Sequence, residues 1–592
     1  MNSFVQTLKI ACATAIDSLY QKQIEPNAIL VNETKTDFRG DYTVVTFALS
    51  KLAAKKPDEI GEDLGQYLCQ HFEWAQDYNV VKGFLNISFT DAFYKSYLQE
   101  AQARESLLPI SKTGKKVMVE YSSPNTNKPL HFGHMRNIFL GAAMCSILEA
   151  AGNEVVKANL INDRGIHICK SMIAWQLFAD GATPQSTGVK GDHLVGDYYV
   201  KYNTEYKRQV ELLVQEGADQ AEAEKKAPIL LQAQELLRKW EAGDAEVLTL
   251  WRQMNSWVYD GFFDTYKKMG IEFDKMYYES ETYLSGRDIV MKGLKNGVLY
   301  QKEDGSVWID LTQEGLDHKL LLRGDGTSVY MTQDIGTAVL KYNDYGMNTS
   351  VYVIGDEQNY HMQVLKWILT KLKEPCADGI YHLSYGMVEL PTGRMKSREG
   401  TVVDADDMLA EMIQMAKQNT EELGKVEGFS EQELSQLYAT LGIGALKFYL
   451  LRVDPKKKMV FNPQESIDFH GFTGPFIQYC HARIQSILRK ANDIEKVSYD
   501  HYELTPDERQ LLKQSEQFET MLVEAANSYD PSILCQYLYQ LAKAYNSFLV
   551  NHSVWKADNE EARSFRLHLS IVVKRILAQG LQLLGIHAPD RM

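Results

Sequence analysis

Val117-Met118-Val119-Glu120-Tyr121, then Ser122-Ser123-Pro124-Asn125-Thr126-Asn127-Lys128-Pro129-Leu130-His131-Phe132-Gly133-His134-Met135-Arg136-Asn137, is the stretch on which the fold turns. The apolar run at its start has strand character, and the residues after it, Ile138 to Ala151, have helix character. The two histidines therefore sit where a strand passes into a helix. A helix N-terminus offers free N–H groups and a partial positive charge, so this is a place for phosphate. His131 and His134 share one helical face, where both imidazoles can reach the same anion. Gly133 leaves room for a flat ring against the backbone, Lys128 adds a point charge, and Pro124 and Pro129 hold the loop extended. Taken alone, His-x-Gly-His has a second reading, in which the histidines are core and cap residues.

Outward from this stretch the pattern is strand alternating with helix, the mark of a doubly wound parallel sheet. The strand candidates are Val117 to Tyr121, Val155 to Ile161, Ser350 to Ile354, and Tyr381 to Val388. They end in Asn162-Asp163-Arg164-Gly165, Gly355-Asp356-Glu357-Gln358 and Pro391-Thr392-Gly393-Arg394, and open α/β sheets bind ligands at those ends. Glu, Gln, Lys and Ala dominate from about 180 to 270, which predicts a helical insertion with solvated faces. A small connecting module follows to about 325, with a helix over Gly286 to Leu299 and a strand at Ser306 to Leu311.

Residues 1–108 mix helix and strand. Phe4, Leu8, Cys12, Ile16 and Leu19 mark an amphipathic helix, Tyr42 to Phe47 reads as a strand or a helix start, and Phe84 to Phe89 alternates as a strand. From 461 to 592 the chain turns helical, with a sustained apolar face from Ile533 to Leu549. Gly471 to Arg483 mixes aromatic and basic residues, Tyr479 and Arg483 among them. Such interleaving suits RNA, because aromatic faces stack on bases while Arg holds phosphates; a buried domain junction has the same composition.

The chain has 592 residues, 45% of them hydrophobic and 24% charged, which predicts several domains with ordinary globular cores. A net charge of −15 opposes nucleic-acid binding as a global property, leaving local patches such as Lys456-Lys457-Lys458. The seven cysteines contain no Cys-x-x-Cys pair, so neither a zinc ribbon nor a disulfide framework is expected. No window approaches the ~18 apolar residues of a membrane span. A cytoplasmic monomer without membrane contact and without zinc is the expectation.

Arg394-Met395-Lys396-Ser397-Arg398-Glu399-Gly400 is a second cationic loop, read either as a solvated turn or as a clamp on a triphosphate. Paired with the histidines, the clamp explains more. Displacement at an α-phosphate builds charge on its oxygens and on the leaving pyrophosphate, and fixed donors stabilise both. Magnesium accompanies such phosphates.

At this point the sequence resembles the class I aminoacyl-tRNA synthetases, whose His-Ile-Gly-His element and Lys-Met-Ser-Lys-Ser loop flank ATP, and within them the arginyl-tRNA synthetases. Tyr330-Met331-Thr332-Gln333-Asp334 and Gly355 to His361 are similar to that family's arginine-site segments. Gly471 to Arg483, Ser532 to Phe548 and Leu584 to Met592 are similar to its anticodon-binding domain. The resemblance implies a Rossmann-like catalytic domain over 112–460, an α+β N-terminal domain over 1–108 that touches the tRNA elbow, and an all-α anticodon-binding domain over 461–592. It implies arginine–tRNA ligation, with ATP, L-arginine and tRNA(Arg) as partners and Mg2+ arriving with ATP. His131, Gly133, His134, Met395, Lys396 and Ser397 would bind ATP, with His131, His134, Lys128, Lys396 and Arg398 stabilising charge. Glu120, Ser123, Asn125, His134, Tyr330, Asp334 and Gln358 would bind arginine. A guanidinium has five donors in a plane, so Asp334, with Glu120 as a second acid, is the natural partner. Tyr479 and Arg483 would contact tRNA.

The loop departs from the family's pattern: Arg394 replaces its first lysine and its second is displaced, so Lys128 is a candidate for the missing charge. Two rivals carry part of this pattern. A nucleotidyltransferase making a small metabolite shares the histidine motif but not the helical C-terminal region. A non-catalytic tRNA-binding paralogue would lose the histidines or the cationic loop, and this chain keeps both.

Overall fold

The computed structural model describes residues 3–35, 37–109, 111–391, 403–422, 424, 428–491 and 497–592. The cationic loop, with Arg394, Met395, Lys396, Ser397 and Arg398, lies outside the described residues.

Five parallel strands form the central sheet: β1 (Lys116–Glu120), β2 (Glu154–Ile161), β3 (Lys275–Tyr278), β4 (Thr349–Gly355) and β5 (Ile380–Tyr385), in the order β5-β4-β1-β2-β3. The order reverses at β1, the position where such sheets open a crevice at their C-terminal ends. Helix α1 (Phe132–Ala150) connects β1 to β2 and buries almost its entire length. That explains a sequence apolar all round: the helix is covered on every side rather than half-solvated.

Two differences from the expected strands have local causes. Lys275–Tyr278 adds a fifth strand that its aromatic, partly charged composition conceals, because it lies at the edge beside β2. The expected strand from Tyr381 to Val388 is interrupted at Gly386, where a Cβ would lie 2.7 Å from the backbone of Lys457. Val388–Glu389 pairs instead with Met459–Val460 in a separate ribbon.

Helix α2 (Ile166–Phe178) leads into the insertion, whose long helices are α3 (Gly191–Gln215), α4 (Pro228–Glu241) and α5 (Ala245–Met269). A three-stranded antiparallel module spans the strands from Tyr300 to Leu322. Then come α6 (Tyr330–Tyr345) and α7 (Asn359–Lys371), flanking β4. Helices α8 (Ala405–Glu422) and α9 (Glu431–Leu451) lead to the C-terminal bundle of α10 (Gly474–Arg489), α11 (Ser532–Asn551) and α12 (Glu560–Leu583).

The N-terminal unit packs the helix Phe4–Tyr20 on a four-stranded antiparallel sheet. Phe4, Leu8, Cys12 and Ile16 are buried while Leu19 is exposed, so the apolar stripe ends one turn early; Tyr42–Val45 is a strand. Lys513 to Asp41 (2.6 Å) and Arg509 to Asp91 (2.8 Å) dock this unit on the C-terminal helices. Among the described residues no helix is long and apolar enough to cross a membrane.

Candidate functional site

The chain leaves β1 through two residues in left-handed backbone, Ser122 (φ 75°) and Ser123 (φ 46°). Side chains replace glycine here only when the surroundings hold them. The Ser122 N–H donates to Asn137 Oδ1, its hydroxyl pairs with Tyr266 (2.6 Å), and the Ser123 N–H donates to Asn159 Oδ1 (3.0 Å). Asn137 Nδ2 donates in turn to Val353 O on β4 (2.6 Å). Two buried amides therefore tie the strained turn to its neighbouring strands, Asn137 to β4 and Asn159 to β2, and Asn125 bridges to Asn162 at the end of β2.

His131 is the N-cap of α1, and its N–H donates to His134 Nδ1 (3.1 Å). The rings stack with centroids 3.7 Å apart. A Cβ on Gly133 would lie 3.0 Å from the His131 ring, so glycine leaves the imidazole its place. Lys128 Nζ stands 3.4 Å from His131 Nε2. Burial, with help from Lys128, pushes His131 down to about 3; burial, His131 and Lys128 hold His134 well below the usual range. Burial alone lowers the Lys128 ammonium. Asp404 opposes the push on His131, and an anion bound at the turn would act in the same direction.

Arg136, one helical step on, is buried and donates to the carbonyls of Gly386, Lys457 (2.9 Å) and Pro455 (3.3 Å). It holds the interrupted strand end against the segment leading into Met459–Val460.

Beside the turn lies a cavity of about 940 Å³ lined by Asn125, Arg164, Glu279, Tyr330, Asp334 and Gln358, among others. Tyr330 opens α6 at 76% exposure, which excludes a role in the core, and Asp334 stands one turn further along the same face. Asp334 Oδ2 lies 2.6 Å from His361 Nε2 on α7. Glu279 is half-buried, and its carboxyl is pushed up to about 7 by burial, with Asp163 and Asp334 adding to the push and Arg164 opposing it. Arg164 stacks over Tyr283 (4.0 Å), pairs with Glu241 of α4 (3.1 Å) and, with the Gln333 amide turned to match donors to acceptors, bridges through Gln333 to Glu279.

Glu120 is placed differently from Asp334. Its carboxylate is buried in an ion pair with Lys341 of α6, whose side chain is 1% exposed. The acid expected as a second guanidinium partner already has a cation.

Three family models match the chain: tRNA synthetases class I (R), catalytic domain, over residues 97–462; the DALR anticodon binding domain over 477–592; and the arginyl tRNA synthetase N terminal domain over 6–89. An arginine–tRNA ligase of Bacteroides thetaiotaomicron is 50% identical over 583 residues, covering 98% of each chain. The chain belongs to the arginyl-tRNA synthetases. Its fold matches the arginyl-tRNA synthetase of Thermus thermophilus over 100% of both chains, with TM-score 0.81 and 27% identity. That of Plasmodium falciparum, 19% identical with TM-score 0.78 over 100% of both chains, shares the fold.

Within this synthetase frame, Lys128, His131, Gly133 and His134 form one turn, and Asn125, Tyr330, Asp334 and Gln358 line one cavity. Tyr479 and Arg483 lie one turn apart on α10, facing a separate cavity of about 430 Å³ with Arg489, Phe429 and Arg591. Arg164, Glu279, Lys341 and His361 escaped the sequence reading as site residues. Asn162-Asp163-Arg164-Gly165 carried a positional signal as a strand end, and His361 lay inside the segment that resembles the family's arginine site; Glu279 and Lys341 carried no signal, since their partners come from distant segments.

Proposed function

We propose that this chain performs arginine–tRNA ligation in the crevice at the C-terminal ends of β1, β2 and β4, with arginine in the Asp334 cavity and the ATP phosphates at the His131 turn. What supports this most is the pairing of a turn that gathers Lys128, His131 and His134 with an acid-lined cavity, joined by the short segment from Ser123 to Asn125. The arginine guanidinium meets Asp334 and displaces His361 from it, while Tyr330 covers the ligand and Asn125 and Gln358 orient its ammonium and carboxylate. A carboxylate oxygen of arginine attacks the α-phosphorus, the bond to pyrophosphate breaks, and arginyl-adenylate forms. A ribose hydroxyl of the terminal tRNA adenosine then attacks the arginyl carbonyl, and AMP leaves.

Lys128, His131 and His134 stabilise the charge that develops on phosphate, and alignment supplies the rest; no covalent enzyme intermediate is formed. Lys396 and Arg398 add cations, and Met395 and Ser397 contact the nucleotide. Mg2+ enters as part of the MgATP substrate, and no resident zinc is involved. Tyr479 and Arg483 meet tRNA through stacking and phosphate contact. The protein acts as a monomer in the cytoplasm, and adenylate formation requires bound tRNA.

Charging total tRNA with each amino acid in turn tests the reaction: arginine alone should give product, and its failure overturns the reading. ATP–pyrophosphate exchange with and without tRNA tests the requirement; equal rates refute it. Lys128→Ala should lower exchange far more than it weakens tRNA binding, and equal losses would remove Lys128 from its role.

A further inference from the structure

The helical insertion reaches the histidine turn through charge. Backbone bonds zip Val403 to Ala405 antiparallel against the turn: the Phe132 N–H donates to Val403 O (2.9 Å) and the Ala405 N–H to Leu130 O (3.0 Å), which sets Asp404 opposite His131. Asp404 caps α8 through Oδ1 and turns Oδ2 to His193 Nε2 of α3, 3.2 Å away. Asp406 is met by Lys190 (2.7 Å), by Lys268 of α5 (3.1 Å) and by the Thr265 hydroxyl (3.3 Å). Behind them, fully buried Asp192 lies 3.3 Å from Lys190. Close approach of α3 and α5 makes this possible: a Cβ on Gly191 would lie 2.1 Å from Trp257 O, and one on Gly261 would collide with Asp192.

The Asp404 and Asp406 side chains are only 15% and 16% exposed, and the Lys190 pair is sheltered on both sides, unlike solvated surface pairs that contribute almost nothing; Lys268 reaches in from the surface. His193, Asp404 and Asp406 have spacing that could ligate a cation. Lys190 and Lys268 already fill that place around Asp406, and a divalent ion would have to expel them. Asp404 and Asp406 push His193 up to about 10 against burial, which keeps it cationic.

We propose that Lys190, His193 and Lys268 clamp Asp404 and Asp406 and thereby position the His131 turn for ATP, making the insertion part of the ATP-binding apparatus. These are positioning residues; none touches the reacting atoms. Pro129 supports the same link, since Gly196 of α3 packs against its ring so closely that a Cβ would lie 2.7 Å from it. The proposal rests on the reading of the His131 turn as the phosphate site.

The test is ATP–pyrophosphate exchange with full-length Asp406→Asn and His193→Gln, in the presence of tRNA, alongside calorimetric ATP binding by each variant. The expected result is a KM for ATP raised roughly tenfold, the scale of coupling between linked sites, with the KM for arginine unchanged. His193→Lys, which keeps the cation, should recover most of the loss. An ATP KM unchanged in folded His193→Gln and Asp406→Asn, or both KM values rising together, overturns the clamp. Should Asp406→Asn fail to fold, His193→Gln and its lysine rescue decide alone. Wild-type enzyme that binds no ATP by calorimetry would instead overturn the reading of the turn itself.

Discussion

The His131 turn and the Asp334 cavity lie side by side and are built on opposite plans. Around the turn, backbone strain at Ser122 and Ser123 is held by buried amides, the histidines stack on each other, and Arg136 spends its guanidinium on backbone carbonyls. Around the cavity, Tyr330 is exposed, Gln358 is at the surface, and Asp334 is tied to a histidine on a neighbouring helix. The difference teaches how the work is divided. In the proposed reading, phosphate meets a preorganised set of donors that need not rearrange as charge develops. In the same reading, arginine enters an open site in which Asp334 exchanges His361 for the guanidinium.

The comparison breaks first at His134. His134→Ala removes a donor together with the stack on His131, and exchange kcat should fall about 10³-fold, the scale of removing one preorganised donor. A fall below tenfold would mean the turn is not preorganised for phosphate. Next, Lys341→Met leaves Glu120 buried without its cation, which should lower stability by about 3–5 kcal/mol in denaturant unfolding. Unchanged stability would mean that Glu120 turns toward the cavity and has another partner there.

Asp334→Asn sharpens the open side: the arginine KM should rise about 10²-fold with the ATP KM constant, in line with truncating one partner of a charged hydrogen-bonded pair. The smallest effect is in pH. Glu279 titrates near 7 in the free cavity, and a cationic ligand favours its ionised form. The arginine KM should therefore rise as pH falls below about 7 and level off above it. Glu279→Gln should flatten that limb, and a limb that persists in the variant assigns the titration elsewhere.

Much of the fold was legible because strands that lie inside a parallel sheet are mostly apolar and end in polar turns. Val117 to Tyr121, Val155 to Ile161 and Ser350 to Ile354 declared themselves this way. Lys275–Tyr278 did not, since an edge strand need not be apolar on both faces. Asn125, Tyr330, Asp334 and Gln358 could be named from motif resemblance, and the fold gathers them around one cavity. Arg164 sat in a strand-end segment and His361 in a segment resembling the arginine site, but which side chain in each faces the cavity depends on partners from distant parts of the chain.

By itself the sequence determined most of the elements and the family, because periodicity and short-range spacing are properties of contiguous residues. Only the tertiary structure decided the fate of charge. Glu120 and Asp334 are both carboxylates in family motifs, yet one is neutralised by Lys341 and the other faces a cavity. His193 and Asp406 stand far apart in the chain and meet only because two glycines let the insertion helices close on each other. Which cation an acid finds depends on which distant segment packs beside it, and no local pattern encodes that.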